Sequence, residues 1–137
     1  MQLSNYILKG GEVFISGELK ELDIAVKDGK IIEIDHNILG ENIINVSGKI
    51  ISLGFVDPHV HLREPGQTHK EEIQSGSYAA IKGGYSHIMA MPNTNPTIDT
   101  VEQVEAFNKK VEEKAYCNVL VFPALTKGLQ GKELTDI

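Results

Sequence analysis

An α/β protein is what this sequence predicts, with a small all-β module first and strand–loop–helix units with parallel strands after it. Three observations carry that expectation. From Tyr6 to Ser52 short β-type runs alternate with turn signals. After Leu53 the pattern changes to strand, loop and helix, repeated. Polar and charged residues then crowd just past the strand ends, where parallel sheets place their chemistry.

In the β module, Leu8, Val13, Phe14 and Ile15 form the first run, Ile24, Ala25 and Val26 the second, and Ile31, Ile32 and Ile34 the third. Lys27-Asp28-Gly29-Lys30 joins the second and third, Asp-Gly supplying the positive φ angles of a tight hairpin. Ile43, Ile44 and Val46 lead through Ser47-Gly48 to Ile50 and Ile51, and sheet-on-sheet packing is expected. Ile50, Ile51, Leu53, Phe55 and Val56 read as the apolar run of a buried strand.

His69 to Lys82 reads as a helix, with Thr68 as N-cap, Glu71 completing a capping box, and Gly83-Gly84 as its stop. His87 to Met91 is a second strand, and Pro92-Asn93-Thr94-Asn95-Pro96 is the loop at its C-terminal end. Parallel strands would place that loop on the same side of the sheet as His59 and His61. A second helix starts at Asp99 or Thr100, with Glu102 placed for a cap and Val101, Val104, Phe107 and Val111 along one stripe. Cys117 to Phe122 is a third strand, and Lys132 to Ile137 looks like the first turn of a third helix. A closed (β/α) barrel needs eight such units and roughly 250 residues. The expectation is therefore an N-terminal portion of a longer protein, with two segments: residues 1–53, and residues 54–137 as the start of a barrel.

Bulk properties exclude several classes. The 137 residues carry 13 Lys and Arg against 19 Asp and Glu, a formal charge of −6 without basic clusters, so no nucleic-acid or anionic-membrane partner is expected. Cys117 is the only cysteine and excludes a disulfide framework. The N-terminus has no basic region leading into a long apolar stretch, and no segment reaches membrane-span length, so a cytoplasmic location is expected.

The chemistry concentrates in Asp57-Pro58-His59-Val60-His61-Leu62-Arg63-Glu64-Pro65-Gly66. Residues two apart on a strand share a face, so His59 and His61 can bind one cation, and Arg63 follows them. This is half of a metal site. His36, His69 and His87 read as surface or capping histidines, and Lys109, Lys110, Glu112 and Glu113 as a solvated helix face.

Together with Met91-Pro92-Asn93-Thr94-Asn95-Pro96, that segment closely resembles dihydroorotase, a metal-dependent member of the amidohydrolase superfamily. The resemblance extends to the preceding β module and its Lys27-Asp28-Gly29-Lys30 turn. It implies a small β-sandwich segment followed by the first three βα units of a (β/α)8 TIM-type barrel, incomplete in this chain. It implies reversible ring closure of N-carbamoyl-L-aspartate to dihydroorotate in pyrimidine biosynthesis. By position, His59 and His61 become zinc ligands, with one or two zinc ions in the complete protein. Arg63 and Asn93 become contacts to the substrate carboxylate, His61 touches the substrate through its ring edge or backbone, Asp57 orients the site, and Asn95 is a turn former. No catalytic acid or base is assigned in this chain. The family's bridging ligand, further histidines and catalytic aspartate would lie beyond Ile137, so the chain alone is expected to be inert. Rival readings are a dihydropyrimidinase, hydantoinase or allantoinase, and a non-catalytic dihydroorotase-like partner of aspartate transcarbamoylase. Homodimerisation or association with aspartate transcarbamoylase is a further implication for the complete protein.

Overall fold

The computed structural model describes residues 5–137. The chain divides into two compact units, Met1–Leu53 and Gly54–Ile137.

The first unit is one mixed five-stranded sheet. β1 (Asn5–Ile15), β2 (Glu18–Lys27) and β3 (Lys30–Asp35) are antiparallel neighbours, while β4 (Ile43–Asn45) and β5 (Ile50–Ile51) both lie parallel to β1. Sheet-on-sheet packing does not occur among the described residues of this unit. The chain after β3 returns to the free edge of β1 instead of building a second layer. A bulge between Leu8 and Gly11 divides that edge, so β4 pairs before it and β5 after it. Asp28 (φ 50°) and Gly29 (φ 75°) form the anticipated hairpin, and Ser16 (φ 55°) with Gly17 (φ 82°) forms another between β1 and β2. Asp23, buried on β2, accepts the N–H groups of Gly10 (3.2 Å) and Ile38 (3.1 Å) and pairs with Lys9, tying the bulge to the returning chain.

The second unit is a three-stranded parallel sheet in the order β6 (Phe55–Val60), β7 (Tyr85–Ala90), β8 (Asn118–Val121), with α1 (Ile73–Lys82) and α2 (Val101–Lys114) as the crossovers. Its core joins Leu62, Ile73, Ile88, Ala90, Ile98, Phe107 and Val119. The apolar run at residues 50–56 is not one buried strand. Ile50 and Ile51 belong to the first sheet, and Leu53, Phe55 and Val56 are exposed. Within its sheet β6 is an edge strand with only β7 beside it, and the exposed Phe55 ring packs on Tyr85 with centroids 5.7 Å apart.

α1 starts at Ile73 rather than His69. Arg63 adopts a left-handed φ of 58°, the N–H groups of Gln67 and Lys70 close turns onto Arg63 and Gln67, and the Ile73 N–H is taken by the Glu64 carboxylate. The capping box therefore closes between Glu72 and Ser75. α2 is capped by Thr100, and its reciprocal partner is Gln103 rather than Glu102: Gln103 donates its N–H to Thr100 Oγ1, and its Oε1 accepts from the N–H groups of Asp99 and Thr100. Residues 132–137 do not begin a third helix. A 3₁₀ turn at Lys127–Leu129 and a bridge between Thr126 and Leu134 fold them back, with Thr135 Oγ1 donating to the Ala124 carbonyl. No helix among the described residues is long and apolar enough to cross a membrane.

Candidate metal and substrate site

The parallel pairing of β6 with β7 puts both strand ends on one side of the second unit, so the 61–72 connection and the 91–100 connection emerge together. Met91 N–H extends the ladder by donating to the Val60 carbonyl at 2.9 Å. His59 and His61 stand at the β6 end with ring centroids 5.2 Å apart and planes inclined by 70°. Two imidazoles on one tetrahedral zinc, with zinc–nitrogen bonds of about 2.0–2.1 Å, have centroids about 5 Å apart, so the pair fits a shared cation. His61 Nδ1 lies 2.9 Å from Asn93 Oδ1, which brings the two segments singled out in the sequence into direct contact.

Asp57 Oδ1 accepts the His59 N–H at 3.0 Å, and so braces the strand end. Among the described residues no group of three His, Cys, Asp or Glu side chains could hold a metal, so His59 and His61 could supply at most two of the roughly four ligands a zinc site needs. Arg63 is half-buried and makes no ion pair among the described residues, which leaves its planar fork free for a carboxylate. His69 and His87 are exposed, and His87 Nδ1 pairs with Ser86 Oγ.

Two ties hold the loops. Asn95 N–H donates to the Pro65 carbonyl at 3.1 Å, and Gly66, at φ 84°, lies so close that a Cβ there would sit 1.9 Å from the Asn95 carbonyl oxygen. Thr94 is buried and its Oγ1 donates within its own loop, to the Pro96 carbonyl at 2.7 Å, which fixes the turn that carries Asn93.

The second tie is Glu64, which sequence reasoning missed. Only 3% exposed, it accepts from the Ile73 N–H (3.3 Å), Lys110 Nζ (3.2 Å) and Lys114 Nζ (2.9 Å). Burial pushes its carboxyl pKa up, but the bonds from Lys114, Ile73 and Lys110 outweigh that and hold it below the ordinary carboxylate value. The same contact raises the Lys114 pKa. Lys110 is thus not part of a purely solvated face. The available signal was Lys110 and Lys114 standing four apart on one side of α2.

A family model described as Dihydro-orotase-like matches residues 48–137. The chain belongs to the dihydro-orotase-like family. Proteins named Dihydroorotase from Macrococcus caseolyticus and Bacillus cytotoxicus are 46% identical over 132 residues and 48% identical over 135 residues, matches that cover 95% and 96% of this chain. The chain spans 31% and 32% of their lengths, about a third. Among solved structures, the L-hydantoinase (dihydropyrimidinase) from Arthrobacter aurescens superposes with a TM-score of 0.76 at 26% identity, covering 90% of this chain and 28% of that one. A D-hydantoinase gives 0.74 at 27% identity, covering 91% and 29%. In this dihydro-orotase-like chain the matched residues include every member of the His59, His61, Arg63, Asn93 constellation.

Proposed function

We propose that the protein carrying this chain is a zinc-dependent dihydroorotase of the cytoplasm, closing N-carbamoyl-L-aspartate reversibly to (S)-dihydroorotate in de novo pyrimidine (UMP) biosynthesis. The observation that carries the reading is the paired His59 and His61 rings with Asn93 bonded to His61 and an uncommitted Arg63 following them, in a chain 46–48% identical to proteins named Dihydroorotase. On this reading the first unit contributes its single sheet to a β-sandwich, and the second supplies the first three strands and two crossover helices of a (β/α)8 barrel.

His59 and His61 hold the metal through neutral imidazole nitrogens, which suit zinc. Zinc, when bound, supplies a Lewis acid that polarises a carbonyl or carboxylate oxygen and activates water. Arg63 grips the substrate carboxylate with two parallel N–H bonds, and Asn93 adds an uncharged donor. Together they orient the ring without adding a second full positive charge. The remaining metal ligands and the proton-transferring group belong to the part of the protein outside these 137 residues.

The likeness to hydantoinase structures favours a second reading, a cyclic amidohydrolase acting on rings without a carboxylate. Arg63 and Asn93 argue against it, because such a ring has no carboxylate to pair with the guanidinium. Assaying the intact protein on dihydroorotate and hydantoin side by side separates the two. We expect preference for dihydroorotate, and a preference for hydantoin would overturn the assignment.

A further inference from the structure

We infer that Asn93 is a positioning residue whose two amide ends serve two sites: Oδ1 locks His61 as the Nδ1–H tautomer, which leaves the Nε2 lone pair available to a metal, while Nδ2 stays free for the substrate carboxylate. The inference rests on the reading of His61 as a metal ligand. A neutral imidazole has one donor and one acceptor nitrogen, and the bond made by one decides the role of the other. The amide oxygen, 2.9 Å from Nδ1, can only accept, so the proton must be on Nδ1 and Nε2 is left as the ligand atom. Were the amide turned over, Nδ2 would donate to Nδ1, the proton would move to Nε2, and His61 could not bind metal through that atom.

His59 has no such partner. Its backbone N–H goes to Asp57, and its ring makes no hydrogen bond among the described residues. The pair is therefore asymmetric, with one ligand fixed before the metal arrives and one left to adjust. Asn93 is equipped to fix it because its loop is immobilised twice, by Thr94 from within and by the contact of Asn95 with Pro65 and Gly66. Partners that orient a metal-bound imidazole typically change metal affinity 10- to 100-fold when removed.

Two variants divide the two ends. Asn93→Asp keeps an oxygen acceptor for Nδ1 and loses the donor to substrate, whereas Asn93→Leu loses both. The first readout is the ring-nitrogen correlation spectrum of the metal-free intact protein labelled with ¹⁵N-histidine, with His61 assigned through His61→Gln. We expect Nδ1–H in the wild type and in Asn93→Asp, and a shift toward Nε2–H in Asn93→Leu. The second readout is zinc affinity by chelator competition, with Zn²⁺ alone as probe. Asn93→Leu should weaken it about 10- to 100-fold and Asn93→Asp by less than about threefold. With dihydroorotate, KM should rise in both variants. Nε2–H in the wild type, or Asn93→Leu with unchanged tautomer and affinity, would overturn the inference. If the tautomer is as stated but His61→Gln leaves zinc affinity intact, the metal-ligand reading falls and takes the inference with it. The metal-free spectrum shows which of the two failed.

Discussion

Replacing Gly66 by alanine tests whether the two loops are held in register by close approach. The added Cβ would lie 1.9 Å from the Asn95 carbonyl oxygen, 2.8 Å from its carbonyl carbon and 2.9 Å from its Cβ. Carbon–oxygen contacts settle at about 3.3 Å, so the loops must part by about 1.4 Å. That displacement stretches the 3.1 Å bond from Asn95 N–H to the Pro65 carbonyl beyond hydrogen-bonding range, a loss of about 0.5–1.5 kcal/mol. A non-glycine residue at φ 84° costs about 1–2 kcal/mol more. The total is about 1.5–3.5 kcal/mol, and Asn93 is carried away from His61 as the loop moves. Gly131 is the control, because it has a similar φ of 69° and a Cβ added there would meet nothing within 4 Å, so Gly131→Ala bears only the backbone cost. Denaturant or thermal unfolding of the intact protein, paired with zinc affinity, measures both consequences. If Gly66→Ala matches Gly131→Ala within about 0.5 kcal/mol and binds zinc as the wild type does, the loops are not held by this contact.

Other expectations concern anchoring, substrate and core. Glu64→Gln should destabilise by about 1–3 kcal/mol, since it weakens the bond to the Ile73 N–H and leaves Lys110 and Lys114 without their acceptor. Because the folded carboxyl pKa lies below the ordinary 4.5, the Glu64 contribution is present in full above that value and is lost as pH falls through the lowered folded value. The difference in unfolding temperature between wild type and Glu64→Gln should therefore shrink in acid, and a difference independent of pH would contradict the anchor. Arg63→Gln should raise KM for dihydroorotate about 10- to 100-fold while leaving zinc affinity unchanged, as steady-state kinetics and chelator competition would show. Phe107→Ala, at a site 2% exposed, should cost about 3–5 kcal/mol in equilibrium unfolding, with a loss below about 1 kcal/mol showing that α2 is not seated on this core.

What is legible in the sequence is whatever depends on near neighbours. The Asp28-Gly29 hairpin, the Thr100 cap and the common side shared by the strand-end loops all follow from local geometry and from short parallel crossovers. The His59–His61 pairing follows from a spacing of two. The start of α1 departs from the local capping signals because a residue outside the helix, Glu64, takes the Ile73 N–H, and those signals carry no trace of that contact. The spacing of Lys110 and Lys114 signals a shared acceptor, but nothing local identifies it as Glu64, which lies 46 and 50 residues away from them. Layering in the first unit turns on which edge of β1 the returning chain chooses, and hydrophobic alternation alone does not select an edge.

Burial alternates beyond the end of β6, and that alternation explains how a long connection holds a site. β6 ends at Val60 and α1 begins at Ile73, a gap long enough that ordering its backbone costs about 1–2 kcal/mol per residue. Leu62 and Glu64 are buried while His61 and Arg63 between and beside them are half-exposed. The even positions thus supply the anchors, one apolar in the core and one ionic spanning both helices, and the odd positions are left half-exposed, as the proposed ligand contacts require. A neutral side chain at position 64 could not replace it, because one acceptor must satisfy a helix N-terminus and two lysines at once, and only a carboxylate has the lone pairs and the charge for all three. The freedom of Arg63 is therefore a consequence of Glu64: the guanidinium stays without an ion pair among the described residues because the neighbouring acid is already saturated by α1 and α2, which is what the proposed carboxylate contact requires.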